Sequence, residues 1–311
     1  MGLFDQQSSS NASPPAYTSI SGLRQYQAPP QQPQPLPNPP VYTATPLRPF
    51  QAPPQNPLPF SSGTVLQQIN SQQNQVGSNF ASLSLHQRDK IRMLQFPTPA
   101  VDAVRKAIAA NWPRGIQARG TYASSQEFQL HGHPWGSADA SESAMEARRL
   151  MKGVLEALYN EGWILYASTD CSKKELDKDT MIFRHQNPVP ERCEWMSVCF
   201  VKHDHLRFVD APRELISSII TLLGYSVQSH GGPCARGCYD IKLYGYPWHA
   251  SGEATMATRK LLLILIEGLE QFGFTLYASI DQYSRSEGRE ADVWHCCRRI
   301  GWTPGVPTYH P

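Results

Sequence analysis

Two hydrophobic rhythms run along the chain, and each occurs twice. In FASLSLH (80–86) and KIRMLQF (90–96), apolar and polar side chains alternate. That is the period of a half-buried strand, and the polar turn around Arg88 and Asp89 joins two of them. PTPAVDAVRKAIAANW (97–112) opens on proline, which suits a first helical turn, and continues with helical apolar spacing. FQLHGHPW (128–135) reads as a strand ending in Gly-x-Pro-Trp. A second helix is predicted from Ala147, Leu150, Met151, Val154, Leu155 and Leu158, spaced by three and four. Asp139 and Glu142 form a capping pair at its start, and Gly162 supplies a left-handed cap at its end. LYAS (165–168) and a last strand from Asp179 complete a ββαβαββ unit.

The same order returns in the second half. SLHQRDKIRMLQFP (84–97) lies over CFVKHDHLRFVDAP (199–212) at an offset of 115. FQLHGHPW matches IKLYGYPW (241–248) at 113, pairing Trp135 with Trp248. RRLMKGVLEALYNEGWILYAS (148–168) matches RKLLLILIEGLEQFGFTLYAS (259–279) at 111, with Gly273 in the place of Gly162. Offsets that drift only at loops identify an internal repeat. Helices against a mainly antiparallel sheet make the fold class α+β, as a tandem duplication of one unit. The repeats are expected over 79–194 and 195–311, packed with approximate two-fold symmetry. In the second long helix, Leu263 and Ile264 replace Lys152 and Gly153, so LLLILI (261–266) is apolar all round. A helix with no polar face is expected to be covered on every side, which assigns it the contact between the repeats or a docking surface for another protein.

Composition separates a leader from this core. Most of the 27 prolines fall before residue 78, where charge is nearly absent and long apolar runs are missing. Residues 1–78 are therefore expected to be a disordered Pro/Gln-rich tail of polyproline II character, with at most a short helix over 65–75. A formal charge of +2 argues against a dedicated nucleic-acid binder. No apolar run is long enough to span a bilayer, and MGLFDQ fits neither a signal peptide nor a myristoylation site. Seven cysteines at irregular spacings suit reduced thiols, which predicts a cytoplasmic or nuclear protein.

Candidate chemistry in the core is sparse. Alternation sets Tyr166, Ser168 and Asp170 on one strand face, and Tyr277, Ser279 and Asp281 on its counterpart. Such a row lines a small pocket or is simply the solvated face of a sheet. Arg148 and Arg259 sit near the starts of the two long helices, suited to an anion or to a surface ion pair. Trp135 and Trp248 are expected to pin the strand-to-helix crossover into the core. Cys234, Cys238, His295, Cys296 and Cys297 are zinc-ligand types, but their spacing matches no common zinc module, so no metal is expected. His131 and His133 have Tyr244 and Tyr246 as counterparts, and no serine elbow, phosphate loop or metalloprotease motif appears. No catalytic residue and no cofactor are expected.

The leader contains PPAY (Pro14, Pro15, Ala16, Tyr17) and PPVY (Pro39, Pro40, Val41, Tyr42). Both resemble the PPxY ligands of WW domains. An already extended polyproline II segment loses little entropy on entering an aromatic groove, and the tyrosine fills a second pocket. Two copies raise apparent affinity for a partner with several WW domains. By resemblance, HECT-type ubiquitin ligases with tandem WW domains are the expected class of partner. The resemblance covers eight residues and leaves the core unassigned. The leading expectation is thus a non-enzymatic intracellular adaptor whose tail recruits a WW-domain protein and whose core binds a further partner. The alternative is a small-molecule or anion-binding domain, or an enzyme, with its site in the cleft between repeats. A third reading, a Gln/Pro-rich activation segment, requires a co-regulator role.

Overall fold

The computed structural model describes residues 78–136, 142–169, 180–231, 235–282 and 292–308. The alternation of the first repeat is realised as β1 (Phe80–His86) and β2 (Lys90–Leu94), whose inward residues Leu83, Leu85, Ile91 and Met93 are fully buried. Then come α1 (Thr98–Asn111), β3 (Ile116–Tyr122), β4 (Ser125–Leu130), α2 (Glu142–Asn160), β5 (Trp163–Thr169) and β6 (Thr180–His185). The second repeat follows the same order: β7 (Cys193–Val201), β8 (His205–Val209), α3 (Arg213–Leu223), β9 (Val227–His230), β10 (Cys238–Leu243), α4 (Ala254–Gln271), β11 (Thr275–Ile280) and β12 (Val293–Arg299).

Each repeat builds one six-stranded sheet. The strand orders are β3-β4-β2-β1-β6-β5 and β9-β10-β8-β7-β12-β11, the same topology twice, and every neighbouring pair is antiparallel. The duplicated α+β architecture therefore stands, with one strand per repeat more than the ββαβαββ pattern. The added strands, β3 and β9, lie at sheet edges and are exposed along nearly their whole length. An edge strand with no buried face carries no apolar alternation to read. The glycine caps appear where expected, with φ of +81° at Gly162 and +77° at Gly273. A side chain at Gly273 would also strike the Trp302 ring, 2.3 Å from where its Cβ would sit.

The arrangement of the repeats differs from the two-fold expectation. Helix α2, not α4, makes the junction. It packs on α1 and its own sheet, while Ala144 and Met145 pack with Cys199, Val201, Val209 and Val293 of the second sheet. The core of the first repeat runs on without a break into Trp195, Tyr277, Ala278 and Ile280. Tyr159 of α2, Trp195 of β7 and Tyr277 of β11 meet edge to face, with ring centroids 4.9–5.6 Å apart. The second sheet thus has α3 and α4 on one face and α2 on the other. A head-to-tail contact of this kind uses different surfaces of the two repeats. Helix α4 stays with its own sheet, burying Leu261, Leu265 and Leu269, and leaves Leu263 67% exposed. Asp139 and residues 65–75 lie outside the described residues.

Candidate functional site

The Tyr-Ser-Asp rows do not form on single strand faces. β5 and β11 each carry a bulge, between Leu165 and Ala167 and between Leu276 and Ala278. The extra residue shifts the alternation by one. In β11, Tyr277 and Ala278 both belong to the core at the junction, whereas Ser279 pairs across from Trp294 and hydrogen-bonds to the Asp292 carboxylate at 2.8 Å. Tyr277 is 9% exposed and its hydroxyl accepts the Leu165 amide at 2.8 Å, tying β11 to β5. Its counterpart Tyr166 is exposed and meets Phe80 edge-on. Asp281 is half-buried, and Asp170 lies outside the described residues.

The two arginines have opposite fates. Arg148 is 2% exposed at the junction, beside the Met145 sulfur, whereas Arg259 is exposed on α4 and donates to the Thr255 carbonyl at 3.0 Å. Tyr166 and Tyr277 line one small concavity of about 280 Å³ with Tyr159 and Arg184; among the described residues, neither Arg148 nor Arg259 is part of that lining. Trp135 and Trp248 do pin their crossovers: their indole N–H groups donate to the carbonyls of Lys90 and His205, at 3.2 and 3.0 Å.

What the junction contains instead is a set of matched polar contacts. Arg207 forks onto Asp240 with both distances at 2.6 Å, and Arg207 is almost completely buried. Asp210 accepts Arg149 at 3.1 Å and Lys152 at 2.6 Å, and Arg149 also reaches the Arg236 carbonyl. Burial opposes ionisation of Asp210, but these two cations hold its carboxyl below the ordinary value. Deeper in, Ser197, His295 and Gln282 form a hydrogen-bonded chain, with 2.9 Å from Ser197 Oγ to His295 Nδ1 and 2.7 Å from Gln282 Nε2 to His295 Nε2. All three residues are fully buried. Burial first, then Lys152 and Arg148, push the His295 imidazole down to about 3, so it is neutral at physiological pH. Ser197 and His295 thus satisfy each other's polar atoms inside the junction.

The cysteine and histidine candidates are dispersed. Cys238 lies on β10, separated by β8 and β7 from β12, which carries His295, Cys296 and Cys297. Cys296 points into the second repeat's own core, while His295 and Cys297 face the junction side. Among the described residues, no group of three or more ligand-type side chains could hold a metal ion; Cys234 lies outside them.

Among the described residues, two concavities of ligand-site size stand out. One, of about 630 Å³, opens between the repeats and is lined by Tyr159, the 186–193 connection, Cys193, Cys297, Arg299 and the segment from Trp302 to Thr308. The other, of about 720 Å³, lies on the second repeat between the end of α3, the Gly-Tyr-Pro-Trp turn and α4. Tyr225, Tyr244 and Tyr246 rim it, all well exposed. In the first repeat, Trp112 follows α1, is 1% exposed, and donates its indole N–H to the His131 carbonyl at 2.9 Å. No motif marked either concavity, because each depends on which loops a sheet brings together.

The PPxY residues Pro14, Pro15, Tyr17, Pro39, Pro40 and Tyr42 lie outside the described residues. Among the described residues, no helix is long and apolar enough to cross a membrane. A family model for a domain of unknown function matches the chain twice, over residues 79–184 and 194–297. Neither a curated protein nor a solved structure matches it.

Proposed function

The chain belongs to the family of this twice-matched domain of unknown function, and we propose that it works as a non-enzymatic adaptor. Its leader recruits a protein with tandem WW domains, of the kind found in ubiquitin ligases, while the duplicated core engages a second protein. The observation that carries the reading is the pair of PPxY elements, 25 residues apart (Tyr17 to Tyr42). Two motifs on one chain can engage two modules of one partner. The sealed Ser197–His295 pair fits a core that binds rather than catalyses. The exposed tyrosines of the second repeat's outer groove are residues of the type that anchor protein interfaces.

The test is a titration of the full chain with a purified tandem WW-domain protein. Replacing Tyr17 and Tyr42 together with Ala should weaken binding by about 10²-fold or more, because bivalence and both tyrosine contacts are lost. Unchanged affinity would overturn the reading.

A second reading rests on the cavity between the repeats, which has the volume of a small-molecule site and an arginine, Arg299, on its wall. In it the core binds a small apolar anion. Tight binding of such a compound to residues 79–311, abolished by Arg299→Ala, would favour it over protein recognition by the core.

A further inference from the structure

The cavity between the repeats holds a feature that neither reading uses. Cys193 is the first residue of β7 and Cys297 lies on the neighbouring β12. In the register, Cys193 stands across from Arg299 and Cys297 across from Trp195, so the two cysteines are diagonal neighbours on one face of the sheet. Both line the cavity, one diagonal step apart on the face that looks into it. Cys193 Sγ also lies 3.6 Å from the Tyr159 hydroxyl, contributed by the first repeat.

We propose that Cys193 and Cys297 form a peroxide-sensitive dithiol that closes to a disulfide across β7 and β12 at the floor of this cavity. Cys193 is the attacking sulfur. The Cys297 contact outweighs burial and, with the Tyr159 hydroxyl, holds its thiol below the ordinary value, which favours the thiolate. Cys297 is held above the ordinary thiol value by the same Cys193 contact and by burial, which suits the resolving role. The other described cysteines are placed differently. Cys199 and Cys296 are fully buried and line no part of the cavity, and Cys238 lies beside Arg149, on a strand separated from β7 by β8.

The chemistry balances with a hydroperoxide as oxidant. The Cys193 thiolate attacks one peroxide oxygen; a sulfur–oxygen bond forms, the oxygen–oxygen bond breaks, and the departing oxygen leaves as water or alcohol after taking a proton. The sulfur is oxidised to a sulfenic acid and the peroxide is reduced. Cys297 then attacks the Cys193 sulfur. A sulfur–sulfur bond forms, the sulfur–oxygen bond breaks, and the hydroxyl leaves with the Cys297 proton as water. Diagonal neighbours need a small backbone shift to bridge, and Cys193 sits where the strand begins, just after the 186–192 connection. The first repeat has Ser78 and Arg184 at the corresponding positions, so the pair is a property of the second repeat alone.

This inference is independent of the PPxY reading and is tested on the full-length protein without a WW partner. Reduced protein is treated with equimolar hydrogen peroxide at neutral pH, and its free thiols are counted and its peptides mapped. The expected result is the loss of two titratable thiols per chain, a peptide linking Cys193 to Cys297, and recovery of both thiols on reduction. In the Cys297→Ser variant the link disappears, and the sulfenic-acid trap dimedone labels Cys193 instead. An unchanged thiol count, a link that runs through Cys171, Cys234 or Cys238, or dimedone labelling elsewhere in the variant would each overturn it.

Discussion

Helices α2 and α4 align residue for residue at an offset of 111, yet α2 lies between two sheets and α4 covers only one. Eleven of the nineteen α2 residues are buried, against four of the eighteen in α4, although α4 is the more apolar helix. The difference lies in what each outer face meets. On α2, Ala144 and Met145 fit against the second sheet, and Arg149 and Lys152 reach the Asp210 carboxylate. The same places on α4 hold Thr255, Met256, Lys260 and Leu263, and Met256 and Leu263 are 64% and 67% exposed. A lysine on a helix is therefore no sign of solvent when a carboxylate waits in the facing element, and a leucine is no sign of burial.

The comparison predicts that stability is concentrated at the α2 junction. Trp195 is 7% exposed and packs on both Tyr159 and Tyr277. Trp195→Ala should remove about 3–5 kcal/mol, the usual range for emptying an aromatic core position. The matched control is Leu263→Ala, which should stay within about 0.5 kcal/mol. Urea unfolding of the two variants reads the difference directly. Equal losses would mean that the junction contributes no more than the outer face of α4.

Much of the fold was open to reading because both repeats write it in local patterns. Alternation in β1 and β2, three-four spacing in α2 and glycines after both long helices each answer to nearest-neighbour physics, and having two copies exposed the register. What stayed hidden depends on distant partners. Strand β3, IQARGTY, is exposed at a sheet edge and has no rhythm. The bulges at Tyr166 and Tyr277 add a residue without changing composition, so simple alternation placed Ser168 and Ser279 on the wrong face. The Cys193–Cys297 pair spans 104 residues and becomes visible only once β12 is known to lie beside β7. Apolarity showed how much surface α4 had to offer, but not which helix would be covered.

A smaller effect sharpens the electrostatic half of the comparison. Asp210 is the acceptor that makes Arg149 and Lys152 interfacial, and its counterpart in the first repeat is Gln95. Asp210→Asn keeps the shape and removes the charge, which should cost about 1–2 kcal/mol at neutral pH. The sign of the pH dependence follows from the lowered carboxyl value. The folded form binds the proton less readily than the unfolded chain. The stabilisation is therefore fully present above the ordinary carboxylate value and is lost as pH falls through the lower folded one. Stability measured at steps from neutral to strongly acid pH should show wild type and variant converging. A constant gap would mean that the clamp works through shape alone.

The smallest expected effect makes α4 resemble α2. Leu263→Lys installs the residue that the first repeat carries at position 152. Leucine and lysine have similar helix propensities, and Glu267 stands one turn further on to receive the new charge. The change should therefore leave stability within about 0.5 kcal/mol, despite placing a charge in the middle of LLLILI. It also reports on what covers this face in solution. If α4 were capped by the sheet of a second copy, as α2 is capped within the chain, the new lysine would have no Asp210 opposite it. Gln95 occupies that place in the first sheet, so the charge would be buried unpaired. Unfolding and sedimentation measured over a range of protein concentrations separate the cases. A stability change that is small and independent of concentration leaves α4 as the free outer helix. A large loss accompanied by dissociation would make the outer face of α4 a second junction built like the first.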